Sequence, residues 1–496
     1  MNARQPIFIA LDIEATAPGT EAGEIIEIGI VRFSLDSDVW ETYSSPVHPG
    51  GIIPHRIHRL TGIREEDLRN APHFSEVQSA VATLLQGGAI VGHSIAFDRK
   101  RLEHHGVTAP GPWIDTLELA ALLLPELSSH SLSTVAQALG IPITIHHRAL
   151  EDAEVTATVF RALFARLERL PPPTLLGLAS IIQANEWPLR HIFNLAVERG
   201  VTTQHIPVLR PSSAHGDIGR ELPHLSSNDI EPLQPARTRT PLTPEDLGQV
   251  WSPQGRLART FPGYEERDYQ RTLSEHIAGA FNKSEWLIAE AGTGTGKTLA
   301  YLVPAALWAL HNGERVVIST NTINLQDQIL TKDVPDLERA LGSHLTVQIL
   351  KGRQNYLCLL RWMEFRSRRA LELPLTVPEA RALGKILVWL LHTETGDVAD
   401  VALNGEELGI WSQIMATQET CVNDACAFKR RGQCFLFNAR RRAEAAHLVI
   451  VNHALLLADL ISNSRVVPEF QHLVIDEAHQ HEQQATSSRS VTLPRR

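Results

Sequence analysis

The sequence predicts an α/β protein with two sheet-containing domains, and three observations carry that expectation. Short apolar, β-branched runs alternate with helical patterns in residues 1–170 and again from about 246 to the end, the alternation that parallel strands with crossover helices produce. A glycine- and threonine-rich loop, Ala291–Thr298, stands between a strand-like run and a helix. Between the two zones, Pro171-Pro172-Pro173 opens a stretch with a helix-like piece at Leu175–Arg199. A segment rich in Pro, Ser, Thr and His follows from about Thr203 to Pro244 and reads as a linker. The expected domains are therefore 1–170, a linker over 171–245, and 246–496.

Composition narrows the classes further. The chain has 496 residues, 43% hydrophobic and 21% charged, which excludes wholesale disorder, collagen and coiled coil. The longest apolar run, near Leu299–Leu310, is interrupted by Pro304 and is too short to cross a bilayer. The N-terminus enters the strand-like run Ile7–Leu11 almost directly, without the features of a signal peptide. The expectation is a soluble cytoplasmic protein without a membrane partner. Four cysteines are too few for a disulfide scaffold, yet all fall between positions 358 and 434. The formal net charge of −10 does not bear on nucleic-acid binding, which local basic patches can support.

In the first zone the apolar run Ile7–Leu11 leads into Asp12 and Glu14. Strand side chains alternate, so these two carboxylates point the same way and repel unless a cation lies between them. Val91-Gly92-His93-Ser94-Ile95-Ala96-Phe97-Asp98 reads as a strand-to-helix junction carrying a third acid. His147 leads a helix, clearest over Glu154–Leu167, with Asp152 in its first turn. Asp115 is expected only to cap or brace the fold.

These residues, with Arg59-Leu60-Thr61-Gly62-Ile63 and Trp113-Ile114-Asp115-Thr116 between them, resemble the DEDDh family of 3′→5′ exonucleases over nearly all of residues 1–168. The resemblance implies an RNase H-like domain, a mixed sheet with helices. It implies Asp12, Glu14, Asp98 and Asp152 as ligands of two Mg²⁺ or Mn²⁺ ions and His147 as general base. Hard cations suit oxygen ligands, and two of them about 4 Å apart can clamp a scissile phosphate. A histidine neutral near pH 7 can take a proton from water. Ala15 and Ser94 depart from that family's usual residues, at positions that are not metal ligands.

In the second zone Trp286–Glu290 reads as a strand delivering the loop Gly292, Thr293, Gly294, Thr295, Gly296, Lys297, Thr298. Backbone amides of such a loop cradle phosphates at a helix N-terminus, Lys297 reaching the β/γ-phosphates and Thr298 the Mg²⁺ of ATP. Val316–Thr320 reads as a further strand. The apolar run His472–Ile475 presents Asp476 toward Mg²⁺ and Glu477 toward the hydrolytic water, in Asp476-Glu477-Ala478-His479. Upstream, Gly263–Gln270 resembles an adenine-sensing segment with Gln270 as the base contact.

Together with Lys351-Gly352-Arg353-Gln354-Asn355-Tyr356-Leu357-Cys358 and Val451–Leu456, these motifs resemble the first motor domain of superfamily 2 helicases of the XPD/DinG group. The resemblance implies a RecA-like parallel sheet and ATP-dependent 5′→3′ helicase activity. Cys358, Cys421, Cys426 and Cys434 suit zinc and an iron–sulfur cluster equally by number. The resemblance implies a [4Fe–4S] cluster held by an insert at about 351–440. Basic residues over Arg361–Arg369 and Lys429–Arg442, interleaved with Trp362, Phe365, Phe435 and Phe437, suit a single strand of nucleic acid.

The sequence ends at Arg496, soon after His479, without motifs of a second RecA-like domain. An arginine finger from such a domain contributes 10³–10⁵ in rate. The expectation is a motor truncated after Asp-Glu-Ala-His, with weak nucleotide binding, poor ATPase and no processive unwinding. The expected partner is DNA, single-stranded or with a free 3′ end, with RNA left open because the acids do not read the sugar.

Overall fold

The computed structural model describes residues 6–17, 23–38, 40–143, 148–181, 187–203, 230–261, 263–292, 295–369, 375–462 and 466–480. His147, Thr293, Gly294 and residues 182–186 and 204–229 of the expected linker lie outside the described residues. The chain forms two compact units that are not consecutive in sequence. The first comprises Met1–His215 with Phe365–Thr393 and Val398–Gln413; the second comprises Gly216–Glu364, Glu394–Asp397 and Ile414–Arg496. Much of the insert expected at 351–440 thus packs with the first zone rather than the second. Its helix Val377–Trp389 buries an apolar face and belongs to the first unit.

The first unit is built on a five-stranded sheet in the order β3-β2-β1-β4-β5. The strands are β1 (Ile7–Ala15), β2 (Ile25–Ser34), β3 (Glu41–Pro46), β4 (Ala89–Gly92) and β5 (Trp113–Asp115). β1 and β2, and β2 and β3, pair antiparallel, whereas β4 pairs parallel with both β1 and β5. The central strand β1 reads Ile-Phe-Ile-Ala-Leu because both its faces are covered. Helices α1 (His55–Thr61), α2 (Glu65–Leu68) and α3 (Phe74–Leu84) follow β3. α4 (Ala96–His104) follows β4; α5 (Thr116–Leu123) and α6 (Leu132–Ala138) follow β5. The long α7 (Ala149–Glu168) lies against β1 and β2, burying Phe160 with its ring 4.7 Å from that of Phe8. α8 (Pro172–Ile181) and α9 (Arg190–Thr203) belong to this unit too, so the helix-like piece expected in the linker is domain structure.

The second unit holds an all-parallel four-stranded sheet, β7-β8-β6-β9. Its strands are β6 (Val316–Thr320), β7 (Val347–Ile349), β8 (Leu448–Asn452) and β9 (His472–Ile475). The helix Lys297–Asn312 packs Leu302, Ala305 and Trp308 into the core that also takes Val316, Ile318, Leu448 and Ile450. The expected strand Trp286–Glu290 makes no ladder among the described residues, and Trp286 and Ile288 are 100% and 97% exposed. An apolar run specifies burial only where a neighbouring strand and a covering helix exist, and this run has neither. No described helix is long and apolar enough to cross a membrane.

Candidate active sites

The first site is assembled by three elements. β1 continues through Asp12 and Glu14 to Ala15, so both carboxylates leave the same face of the sheet. α7 brings Asp152 in its first turn. Asp12, Glu14 and Asp152 each offer an oxygen, and these lie within 4.8 Å of one another. Asp98, in the first turn of α4, is 3% exposed; it stands outside that trio yet close enough to raise the Asp12 pKa.

Burial is the largest cause holding the Asp12 carboxyl well above the usual range, followed by Asp98, Glu14, Asp152 and Glu27. Glu14 is pushed up to about 7 by burial and by Asp152 and Glu27, against the lowering effect of Arg148. Burial also raises Asp98, opposed by hydrogen bonds from its own backbone and that of Ile13. Half-buried, mutually repelling carboxylates with oxygens this close fit a divalent cation, which relieves both the desolvation and the repulsion.

The sequence reading missed what aims Asp152. Glu27 on β2 is the cross-strand neighbour of Glu14 and is buried among apolar residues. It takes the guanidinium of Arg148 in a fork, Nη2–Oε1 2.7 Å and Nε–Oε2 3.1 Å, and accepts the Ala149 N–H at 3.0 Å. Glu27 therefore caps α7 from another strand and satisfies one of its orphan amides. Gly29, opposite Asp12, lets this helix end meet the sheet: a Cβ there would lie 2.2 Å from the Ala149 carbonyl oxygen. The signal in the sequence was a lone acid inside Ile25-Ile26-Glu27-Ile28.

Asp115 braces the fold, accepting the Leu117 N–H as the cap of α5 and the Ser94 N–H, both at 2.9 Å. His93 is structural too, bridging Thr116 Oγ1 at 3.0 Å and the His130 carbonyl at 2.8 Å.

The second site lies in the other unit. A cavity of about 400 Å³ is lined by Tyr269, Gln270, Glu290, Ala291, Thr295 and Lys297, among others. Gln270 is buried and donates to the Gly296 carbonyl at 3.2 Å. Gly296 has φ 76°, and a Cβ there would sit 1.9 Å from the Gln270 amide nitrogen, so no side chain fits. Lys297 Nζ donates to the Ala291 carbonyl at 3.3 Å and lies 3.7 Å from Glu477 Oε1. At the end of β9, Asp476 accepts the Tyr301 hydroxyl at 3.1 Å, and Tyr301 also hydrogen-bonds Thr298. Thr298, Lys297, Asp476 and Glu477 are thus brought together; Gly292 and Thr295 flank them, Thr295 Oγ1 donating to the Gly292 carbonyl at 2.8 Å.

A family model described as "Exonuclease" matches residues 9–160, and one described as "DEAD/DEAH box helicase" matches residues 267–355. The chain joins an exonuclease domain to a DEAD/DEAH box helicase domain. Over nearly its whole length it resembles proteins named "3'-5' exonuclease DinG". That of Bacillus subtilis (strain 168) is 31% identical over 489 residues, 97% of this chain and 50% of the relative. That of Staphylococcus saprophyticus is 28% identical over 480 residues, 96% of this chain and 50% of the relative. The chain spans about half the length of the curated relatives it matches. Among solved structures, exonuclease X in complex with 5′ overhanging duplex DNA is 24% identical, covering 32% of this chain and 91% of its own, with a TM-score of 0.28.

Beyond the matched part of the helicase domain stand the cysteines. Cys358, Cys426 and Cys434 each directly precede a helix. Burial pushes Cys434 up to about 11; the Phe437 backbone opposes this, and Cys358, Cys426 and Cys421 add to it. Cys358 is likewise raised by burial and by Cys426 and Cys421. The four thiols therefore converge. The aromatic residues expected to stack bases do not line an open surface: Trp362, Phe365 and Phe435 are buried, and only Phe437 is partly open, under Lys429 Nζ at 4.2 Å. An aromatic beside arginines in sequence is core wherever the helix turns it inward.

Proposed function

We propose that this chain is a metal-dependent 3′→5′ exonuclease acting on DNA, with an ATP-binding helicase domain attached. The observation that carries the reading is the meeting of Asp12, Glu14 and Asp152 within 4.8 Å inside the exonuclease match. Asp12, Glu14 and Asp152, with Asp98 beside them, would hold Mg²⁺ or Mn²⁺. Bound there, the cations supply charge neutralisation at the scissile phosphate and a more acidic water. The protein's own part is positional. β1 fixes two carboxylates, and Glu27 and Arg148 orient the helix end that carries the third. His147 is the proposed proton acceptor. The test is release of mononucleotides from a 3′-labelled single strand of DNA with Mg²⁺, beside an RNA strand of the same sequence. Full activity in Asp12→Ala would overturn the reading, and preference for RNA would move the substrate.

The alternative reading, ATP-dependent 5′→3′ unwinding, draws its support from the cavity between Gln270 and Lys297 and from the pairing of Thr298 and Asp476 through Tyr301. We assign ATP to that cavity, Gln270 toward the base, the Gly292–Gly296 loop with Lys297 toward the phosphates, and Glu477 toward the hydrolytic water. ATPase measured with and without single-stranded DNA separates a motor from a nucleic-acid-binding module.

For the cysteines we assign a [4Fe–4S] cluster. Cys358 and Cys434 are each raised by the neighbouring cysteines, which supports one group held by all four thiolates. Iron, sulfide and zinc contents of anaerobically purified protein decide it.

A further inference from the structure

Between Cys358 and Cys421, the segments Phe365–Thr393 and Val398–Gln413 fold into the exonuclease unit, although they lie far along the chain in the helicase zone. Helix Val377–Trp389 begins with a capping box at Thr376 and Glu379 and packs closely on α5 and α8. Gly384 is the point of nearest approach: a Cβ there would lie 2.8 Å from Leu122 of α5 and 3.5 Å from both Leu178 of α8 and Trp187. A buried polar network crosses the same contact. Glu118, in the first turn of α5, accepts Trp187 Nε1 at 3.0 Å and the Arg381 guanidinium. Arg381 lies 3.9 Å from Glu407, which is fully buried and accepts Lys385 Nζ at 2.9 Å. Burial alone would drive Glu118 toward its neutral form, and Arg381 is the first group opposing that.

The first turn of α5 in turn builds the Asp98 junction. Asp115 caps α5 and holds the Ser94 amide, Thr116 Oγ1 donates to the Gly92 carbonyl at 3.1 Å, and Ser94 adopts φ 66° just before α4. Packed cores of this kind have discrete arrangements, so what seats α5 also seats Asp98.

We propose that the segments 377–393 and 398–413 are a working part of the exonuclease domain. They dock on α5 and α8 through Arg381, Gly384 and the Glu118–Glu407–Lys385 network, and Arg381 is a positioning residue for the acid site. This inference goes beyond the nuclease reading and does not need it, because its first readout uses no substrate.

The test is hydrogen exchange on the full chain, following peptides over 116–123 and 377–389, with 268–283 as reference. Arg381→Ala is expected to raise exchange in the first two peptides together and leave the third unchanged. Glu118→Gln is expected to act in the same direction, and the double variant to be no worse than Arg381→Ala alone. Mn²⁺ binding read by its paramagnetic resonance spectrum is expected to weaken about three- to ten-fold in Arg381→Ala, the range such indirect couplings reach. Arg381→Lys, which keeps the charge, is expected to recover part of it. Unchanged exchange over 116–123 in Arg381→Ala, or strictly additive effects in the double variant, would overturn the proposal. Gly384→Leu supplies a second disruption that leaves every charge in place and is expected to raise exchange in the same two peptides.

Discussion

The two candidate sites hold their acidic groups in opposite ways. In the exonuclease unit the carboxylates sit on β1, α4 and α7, regular elements of one buried core, and their positions are fixed before any ligand arrives. In the helicase unit the phosphate loop follows an unpaired, exposed segment, and Lys297 rests on the Ala291 carbonyl and beside Glu477. The first site stores repulsion that a cation relieves; the second stores contacts that a nucleotide must replace. Rigid charge-rich sites and loop-borne phosphate sites should therefore answer differently to mutation, pH and metal.

The largest expected effect is at Asp12. Asp12→Asn should cut Mg²⁺-dependent nucleotide release on the order of 10³-fold, since several kcal/mol of charge stabilisation depend on the bound ions. The same change should raise the melting temperature measured in EDTA by a few degrees, because it removes one of the repelling carboxylates. A melting temperature in EDTA that falls instead would mean the acids are not in conflict without metal, and the contrast between the sites would fail.

Next comes Lys297→Ala. An ammonium–phosphate contact is worth ~1.5–3 kcal/mol, so binding of a fluorescent ATP analogue should weaken about 10- to 100-fold while nuclease activity stays as it was. Equal loss in both assays would break the separation of the two sites.

How much of this was legible in the sequence follows the same division. Asp12 and Glu14 could be read because they end an apolar run, where an acid without a partner is costly, whereas Asp152 was legible only through the family resemblance. Glu27 could not, because its role depends on β1 and β2 pairing so that it meets Glu14, and on Arg148 arriving from far along the chain. Trp286–Glu290 was misread because composition signals an apolar run, not the strand it would pair with. Trp362 and Phe435 were misread because proximity to arginines in sequence says nothing of which way a helix turns. The docking of Val377–Trp389 on α5 was invisible for a further reason: Gly384 and Arg381 are unremarkable as letters, and only their neighbours give them meaning.

A third measurement tests the stored repulsion through protons. Glu14 is raised from 4.5 to about 7 in the folded chain, so folding binds a proton between those values. The stability Glu14 contributes without metal is complete below about pH 4.5 and is lost as pH rises through about 7. A cation must displace this proton, so apparent Mn²⁺ affinity should rise about ten-fold from pH 6 to pH 8 and then level off. Glu14→Gln should flatten that rise, and a slope that persists unchanged would assign the proton to another acid.

The smallest expected effect probes the loop-borne site. The Tyr301 hydroxyl links Thr298 to Asp476, two groups assigned to the Mg²⁺ of the nucleotide, and burial with the Asp476 charge keeps that phenol protonated. Tyr301→Phe removes one hydrogen bond worth ~1 kcal/mol and leaves the ring in the core. The carboxylate still accepts the Glu477 N–H at 2.9 Å. Binding of Mg²⁺-nucleotide should weaken a few-fold, whereas binding of nucleotide in EDTA should not change. If both change equally, the hydroxyl supports the loop itself rather than the metal-facing pair, and the site is more rigid than its exposed approach implies.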